Sequence, residues 1–170
     1  MLGEENTTGY SIAQLEFNRF SAAYVYRKLG NLCGDISYSE LTHTGTIKKL
    51  TGQDPIAAEI KSGKQFKFYN YAKMVFLANE MPLIREDTDA MWERIEVLEF
   101  PHSFIPAQIC PACNQQHDVD VELIDKLLQE LPGILNWAIE GYYLLRKDNA
   151  FGAKPLPTKQ KRRNYLAMSD

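Results

Sequence analysis

The hydrophobic positions along this chain change their spacing from one segment to the next, and the changes predict short strands alternating with helices. The clearest segment is the apolar run 74–78, which is followed by Asn79 and then Pro82. A short run without polar alternation is typical of a strand buried on both faces, as in the middle of a parallel sheet. The pattern predicts an α/β fold. Ligands of such sheets bind beyond the carboxyl ends of the strands, which makes Asn79 a candidate site residue.

A second strand is predicted after the acidic segment that follows Pro82. Residues 87–93 favour a short helix, Arg94 comes directly after it, and apolar residues alternate over 95–100. We expect this strand and the run 74–78 to pair in one sheet, with the side chains of Asn79 and Arg94 accessible at a shared pocket.

Helices are predicted on both sides of these strands. Ser11 and Gln14 have the spacing of a capping box, so a helix should begin at Ile12. Apolar spacing and helix-stop residues predict further helices over 38–51, 119–131 and 134–146. Aromatic side chains on the helices are expected in the core, namely Phe17, Phe20, Tyr24, Tyr26, Trp137 and the tyrosines that follow Trp137.

A hairpin is predicted where two short β-prone runs flank Ser62 and Gly63. Its tip and second arm carry lysines, and Phe66 and Phe68 lie on the same arm. Lysines contact the phosphates of a single strand while aromatic rings stack on its bases, so the hairpin is a candidate DNA-binding element. The alternative is a solvated hairpin whose lysines only keep the protein soluble. The residues predicted to contact DNA are Lys48, Lys61, Lys64 and Lys67. The helix dipole by itself, however, accounts for a lysine at position 48.

Four motifs occur in a fixed order along the chain. They are MLGEEN at the start, KLGNLCGD over 28–35, IKKLTGQDPIAAEIKSGKQFKF over 47–68, and the strand with Ala72-Lys73, Phe76, Asn79 and Pro82 that Arg94 follows. Together they resemble the motifs of superfamily 3 helicases of the phage and plasmid primase-helicase type. Two departures are visible, since Gln53 replaces a glycine and Glu93 replaces the first of two arginines.

The resemblance implies an AAA+-like, P-loop NTPase-type parallel-sheet core over 1–105 and a helical lobe with a basic tail over 119–170. It implies an ATP-dependent DNA helicase of replication that works as a ring, usually a hexamer, with ATP and Mg²⁺ bound between neighbouring copies. Asp35 would hold magnesium, Asn79 would contact the γ-phosphate and Arg94 would reach a neighbour's nucleotide. The hairpin would bind a single strand or a fork.

Each nucleotide-site residue also has a simpler structural role. Asp35 could cap the helix predicted over 38–51. Asn79 could form an Asx turn before Pro82. Arg94 could form a surface ion pair with a neighbouring carboxylate, which would matter little for stability.

The phosphate-binding loop of the family, G-x-x-x-x-G-K-[ST], does not occur in this sequence. Its glycines provide backbone N–H groups for the phosphates, and its lysine and hydroxyl contact the terminal phosphate and magnesium. We therefore expect a core without the phosphate-loop strand and no ATPase activity from this chain alone. The loop would come from an upstream segment or a separate polypeptide, and the resemblance implies a chain truncated at both ends.

A cysteine-containing insertion, 106–118, interrupts the resemblance. Cys110, Cys113 and His117 have the C-x₂-C-x₃-H spacing in which two thiolates and an imidazole bind one tetrahedral Zn²⁺. The alternative is an exposed loop with two reduced thiols. The candidates for a fourth ligand are His102, Asp118, Cys33 and water.

Composition and charge narrow the functional classes. Apolar residues make up 45% of the chain and no apolar run reaches the length of a membrane span. The first residues lack the basic and apolar regions of a signal peptide. The odd number of cysteines, three, argues against a disulfide framework and fits a reducing compartment, so we expect a cytoplasmic protein. The net charge is −3, so DNA binding would depend on a local basic patch.

Two functions of different classes remain. The first is the ATPase and helicase part of a phage or plasmid primase-helicase. The second is a non-catalytic, zinc-stabilised DNA-binding or assembly protein derived from such a helicase. Absence of the phosphate loop favours the second, whereas the presence of Asp35, Asn79 and Arg94 favours the first.

Overall fold

The computed structural model describes residues 2–34, 36, 44–84, 86, 88–105, 109–110, 112–149 and 158–169. Within these residues the chain forms two compact units, one built from 2–96 with 158–169 and the other from 97–149. Of the helices in the described ranges, none is long and apolar enough to cross a bilayer.

The first unit contains a parallel sheet, a β-hairpin and several short helices, and a 3₁₀ helix (Glu4–Asn6) precedes its first strand. Its elements in chain order are β1 (Thr7–Thr8), α1 (Ile12–Phe17), α2 (Ser21–Val25), β2 (Gly30–Cys33), α3 (Gly45–Thr51), β3 (Pro55–Glu59), β4 (Gln65–Tyr69), β5 (Lys73–Phe76) and α4 (Asp89–Trp92). The second unit contains β6 (Ile109–Cys110), β7 (Gln115–Gln116), α5 (Leu123–Gln129) and α6 (Leu131–Asp148). The last helix, α7 (Thr158–Ser169), belongs to the first unit.

The sheet of the first unit confirms the predicted mixed α/β fold with parallel strands. Its order is β1-β2-β5, and both neighbouring pairs are parallel. The predicted central position of the run 74–78 is wrong, because β2 is central and β5 is an edge strand of the described sheet. Burial on both faces is also wrong, since Val75 is 44% exposed and Leu77 is 61% exposed. The described elements therefore cover only one face of β5.

The strand predicted over 95–100 does not form. Residues 95–105 contain no strand or helix, and the chain passes from the first unit to the second within this segment. Leu98 and Phe100 are almost fully exposed. Alternation of apolar residues gives a strand only when a neighbouring strand supplies backbone hydrogen bonds, and this connecting segment has none among the described residues. The expected pairing of the two strands that flank Asn79 and Arg94 is therefore wrong.

The core of the first unit lies between α1, α2, α3 and the hairpin. Buried aliphatic and aromatic side chains from these elements meet there, and they include Leu15, Val25, Leu50, Ile56 and Phe68. The capping box that begins α1 is confirmed, because Ser11 Oγ accepts from the Gln14 N–H at 3.3 Å while Gln14 Oε1 accepts from the Ser11 N–H at 2.9 Å. Core positions for Phe17 and Tyr24 are wrong, since both side chains are exposed. Tyr26 keeps 38% of its surface exposed, but its ring packs against the core residue Phe68.

The second unit contains the two predicted carboxy-terminal helices. The chain forms α5 and α6 within about one turn of the predicted bounds, and α6 has Pro132 in its first turn, where proline needs no N–H partner. Trp137, however, is 75% exposed, and Tyr142 and Tyr143 are also exposed. The predicted core role of these aromatic residues is wrong, because the described residues leave most of the surface of α6 uncovered.

Candidate functional site

The ends of β2 and β5 form the first candidate site. The two strands run in parallel with Cys33 opposite Phe76, and the Leu77 N–H donates to the Cys33 carbonyl at 2.9 Å. The Ile36 N–H then donates to the Leu77 carbonyl at 3.0 Å, so the two chains stay together beyond the strands. The carboxyl ends of β2 and β5 therefore meet at one edge of the sheet, where parallel α/β folds bind ligands.

The predicted nucleotide-site residues follow these ends along the chain. Asp35 comes two residues after β2, although it lies outside the described residues. Asn79 comes three residues after β5, and its side chain is exposed in a bend. The amide of Asn79 is therefore accessible to a ligand, as we expected for a residue at this edge.

Arg94 lies just beyond the carboxyl end of α4. Its guanidinium donates to the Ala90 carbonyl, one turn earlier, and so caps the end of the helix. Within the described ranges Arg94 forms no ion pair with a carboxylate, and no hydrogen bond joins it to Asn79. Arg94 remains exposed, and the structure gives these two site residues no direct contact.

The orientation of α4 depends on α7, which the sequence predicted only as a polar tail. Met91 and Trp92 are buried on α4, and the Trp92 ring meets the Tyr165 ring edge-on at 5.2 Å. The Tyr165 hydroxyl donates to the Pro82 carbonyl, and Lys161 pairs with Glu96. Contacts on both sides of Arg94 thus fix α4, the helix that Arg94 follows. The single aromatic residue after the basic run makes this contact, but its neighbours in the sequence do not identify Trp92 as its partner.

The predicted hairpin is present and carries three of the four lysines predicted to contact DNA. β3 and β4 pair antiparallel, with Glu59 opposite Gln65, and Ser62 adopts a left-handed conformation at the tip with φ = 62°. Lys61, Lys64 and Lys67 are exposed. Within the described residues none of these lysines forms an ion pair, so their charges face solvent.

The aromatic residues of the hairpin point away from the lysines. Phe68 is buried and Phe66 is half-buried, and both rings pack against Tyr26 at centroid distances of 5.3 and 5.1 Å. Successive side chains of a strand point to opposite faces, so Lys67 and Tyr69 share the outer face. Tyr69 is 66% exposed, which makes it the ring available for stacking. The expectation that Phe66 and Phe68 meet DNA bases is therefore wrong, although strand alternation in the sequence could have identified Tyr69.

Lys48, the fourth lysine predicted to contact DNA, forms an ion pair within the protein. Its ammonium pairs with Glu86, whose carboxylate also accepts hydrogen bonds from the hydroxyls of Thr44 and Thr88. These hydrogen bonds, first that of Lys48 and then those of the threonines, lower the pKa of Glu86 from 4.5 to about 2. The ion pair between Lys48 and Glu86 therefore links α3 to the segment that follows β5.

Asn31 is a structural residue of the site that sequence analysis did not single out. Its side chain is fully buried on the central strand β2. The amide donates to the Tyr10 carbonyl at 2.8 Å and accepts from the Tyr10 N–H at 2.8 Å. This pair of hydrogen bonds attaches the chain after β1 to the strand that leads to Asp35. The signal was the position of Asn31 inside the apolar β2 segment, where an amide needs a partner.

The cysteine-containing segment brings together part of the predicted metal set. The ligand atoms of His102, Cys113 and His117 all lie within 4.8 Å of one another. Cys113 and His117 belong to the predicted set, and His102 was one of the candidates for the fourth ligand. Cys110 lies at the end of β6, and its side chain is outside what the structure describes.

The fold and these residues define an α/β protein with a small parallel sheet, at whose carboxyl edge polar residues follow two adjacent strands. Residues 1–94 match the family described as "Family of unknown function (DUF5906)", and the chain belongs to this family. The matched part contains the sheet, the hairpin, Asn79 and Arg94.

Two viral proteins named as helicases are similar to this chain. One is "Putative helicase 121R" of Invertebrate iridescent virus 3, which is 26% identical over 104 residues, covering 55% of this chain and 11% of that protein. The other is "Putative helicase L207/L206" of Acanthamoeba polyphaga mimivirus, which is 36% identical over 67 residues, covering 39% of this chain and 7% of that protein. The chain thus spans a small part of either relative, and its similarity is to proteins named as helicases.

Proposed function

We propose that this chain is part of a DNA helicase of the phage or plasmid primase-helicase type, and that its β3–β4 hairpin binds single-stranded DNA. The observation that carries the proposal is the group of exposed lysines on this hairpin, within the segment matched by the family. The similarity to two proteins named as helicases supports the same assignment.

The hairpin offers the two kinds of contact that single strands require. Lys61 and Lys64 flank the tip, and Lys67 lies on the outer face of β4 beside Tyr69. Ammonium groups at these positions would follow the phosphates, and the Tyr69 ring would stack on a base without regard to its identity. Phe66 and Phe68 anchor the hairpin in the core, so the outer face is held on a rigid support.

The carboxyl edge of the sheet would bind ATP with Mg²⁺. A carboxylate at Asp35 suits magnesium, and the exposed amide of Asn79 offers both a donor and an acceptor for a phosphate and a water. Arg94 is exposed and would contribute its charge to the nucleotide of a neighbouring copy in a ring, which is a hexamer in the family this sequence resembles. Hydrolysis of ATP bound at this edge, once the site is complete, would supply the free energy for strand separation.

Among the described strands none pairs with the outer edge of β5, which supports the proposal that a further segment completes this site. The N–H groups of Lys73 and Leu77 donate to carbonyls of the β2 chain, at 2.9 Å in both cases. The backbone groups of Met74 and Phe76 therefore face away from β2, because the pairing direction alternates along a parallel strand. A segment that carries a phosphate loop, either upstream or in a separate polypeptide, would pair along this edge.

DNA affinity tests the binding part of the proposal. Fluorescence anisotropy with single-stranded, duplex and forked oligonucleotides of equal length should show tighter binding to the single strand and the fork than to the duplex. Equal affinity for all three, or no binding at low salt, would contradict the proposal. Bulk charge would not by itself explain a preference, since the net charge is −3.

ATP hydrolysis tests the nucleotide part. We expect no turnover from this chain alone with Mg²⁺ and single-stranded DNA, because no G-x-x-x-x-G-K-[ST] loop is present in the sequence. Turnover by the chain alone that Arg94→Ala abolishes would show instead that the site needs no further segment.

A non-catalytic, zinc-stabilised DNA-binding or assembly protein is the second candidate, which the clustering of His102, Cys113 and His117 favours. Expression of this chain together with the coding sequence upstream of it would distinguish the two candidate functions. Hydrolysis by the extended product, lost on Arg94→Ala, supports the helicase. DNA binding by an extended product that does not hydrolyse ATP supports the second candidate.

A further inference from the structure

The segment between the first unit and α5 contains a compact group of metal-ligating atoms. Cys113 Sγ lies 2.9 Å from His117 Nε2, and the ligand atoms of His102, Cys113 and His117 are all within 4.8 Å of one another. The chain gathers these residues from positions that are up to fifteen residues apart. Two imidazoles and a thiol at such distances are a donor set for a tetrahedral metal ion.

A tight turn brings Cys113 and His117 together. β6 and β7 pair antiparallel, with Ile109 opposite Gln116 and Cys110 opposite Gln115. Asn114 adopts a left-handed conformation with φ = 54°, which reverses the chain directly after Cys113. Cys113 lies within this turn. Cys110 is the last residue of β6 before the turn, and His117 is the first residue after β7.

His102 reaches the same place from the segment that precedes β6. Its ring meets the His117 ring edge-on, with the centroids 5.5 Å apart. The Phe104 ring lies 5.1 Å from the His117 ring, so the group has an apolar neighbour.

We propose that His102, Cys110, Cys113 and His117 bind one Zn²⁺ in tetrahedral coordination. Zinc bonds of about 2.0 Å to nitrogen and about 2.3 Å to sulfur place adjacent ligand atoms about 3.5 Å apart. The ligand atoms of His102, Cys113 and His117 lie within 4.8 Å of one another, so no separation has to shorten by more than about 1.3 Å to reach this geometry. Cys110 joins the set through the C-x₂-C spacing, and Asp118 and Cys33 are outside the described cluster.

The coordination set determines the role of the site. With Cys110 as the fourth ligand, two thiolates and two neutral imidazoles would cancel the charge of Zn²⁺ and leave no open position for a substrate, which is typical of a structural site. β6 and β7 are two residues long each, which is too short for a hairpin to be stable without other support. Zinc would supply this support, since its binding free energy becomes folding free energy for the segment.

Metal content of the purified full chain tests the proposal. Protein expressed with added zinc and dialysed against metal-free buffer should contain one zinc per chain by mass spectrometry. Replacement of zinc by Co²⁺ should give the intense visible absorption of a tetrahedral site, together with a thiolate-to-cobalt band in the near ultraviolet. A zinc content near zero, or an octahedral cobalt spectrum, would overturn the proposal.

Histidine variants test the ligand set. Loss of a residue that only supports a metal ligand weakens binding about 10-fold to 100-fold, so His102→Gln should weaken zinc binding by more than about tenfold in competition with a chromophoric chelator. His43→Gln is the matched control, because His43 is the one histidine of the sequence that is not part of the proposed ligand set. Equal zinc affinities for His102→Gln and His43→Gln would overturn the assignment of His102. The chelator titration remains informative even if the variants lose order in this segment, because it reports metal affinity itself.

Discussion

Replacement of the three hairpin lysines by glutamine removes the charge proposed to bind DNA and leaves the fold intact. Lys61, Lys64 and Lys67 are exposed, and their side chains do not belong to the core that contains Phe68 and Ile56. Surface substitutions of this kind change the free energy of unfolding by about 0.5 kcal/mol or less. Any loss of DNA affinity in the triple variant therefore reports lost contacts and not unfolding.

The salt dependence of binding gives the expected magnitude. Each phosphate that a lysine neutralises on a single strand contributes about −0.7 to the slope of log affinity against log salt concentration. Three lysines therefore contribute about −2, and a fourfold increase in salt should weaken their contribution about 20-fold. The slope for the triple variant should be less negative than that of the wild type by about 2.

Fluorescence anisotropy of a labelled oligo(dT) over a series of salt concentrations measures both slopes. The matched control replaces Lys49, Lys126 and Lys147 by glutamine, because these lysines are exposed and lie outside the hairpin. Both triple variants lower the net charge by the same three units, so only the location of the charge differs. Equal slopes for the hairpin variant and the wild type, or an equal loss in the control, would refute the reasoning.

Three further predictions concern single side chains. Tyr69→Ala should weaken binding of single-stranded DNA by about 1–3 kcal/mol, or about 5-fold to 150-fold, in the same anisotropy assay, whereas Tyr142→Ala on α6 should not. Asn31→Leu leaves two backbone groups of Tyr10 without their partner and should lower the free energy of unfolding in urea by about 2–4 kcal/mol, and an effect equal to that of exposed Asn79→Leu would contradict this role. Glu86 has its pKa lowered from 4.5 to about 2, so its contribution to stability is complete above about pH 4.5 and is lost as the pH falls toward 2. The midpoint of thermal unfolding should therefore fall less between pH 4.5 and 2 in Glu86→Gln than in the wild type, and parallel curves would contradict the assignment.

Local signals explain the elements that the sequence predicted correctly. The capping box at Ser11 and Gln14 specifies the start of α1 through two hydrogen bonds within four residues. The hairpin depends on the turn residues Ser62 and Gly63 between two β-prone runs. Parallel pairing of β5 followed from its apolar run, although the burial predicted for this strand was too high.

Errors arose where the outcome depends on distant residues. The alternation over 95–100 has the pattern of a strand, but no described strand lies beside it, and the segment connects the two units instead. Phe66 and Phe68 were placed toward DNA because the sequence does not show that α2 and Tyr26 cover that face of the hairpin. His102 was one of several candidates for a metal ligand, because only the folded turn brings His117 next to it.

The helix α7 shows the same limit. Its sequence is highly charged, and a basic run of this length is usually only solvated. What fixes it is the burial of Tyr165 against Trp92, a contact between residues that are 73 positions apart. The support that α7 gives to α4, and through it to Arg94, could therefore not be predicted from local pattern.

Ultraviolet cross-linking of oligo(dT) to the unmodified protein tests most directly whether the β3–β4 hairpin is the nucleic-acid-binding element. After digestion with trypsin, mass spectrometry identifies the peptides that carry a nucleotide. We predict adducts on the peptides that contain residues 62–73, with Tyr69 as the principal site. Adducts confined to the basic run 159–163 or to Trp137 on α6, with none on the hairpin, would contradict the account.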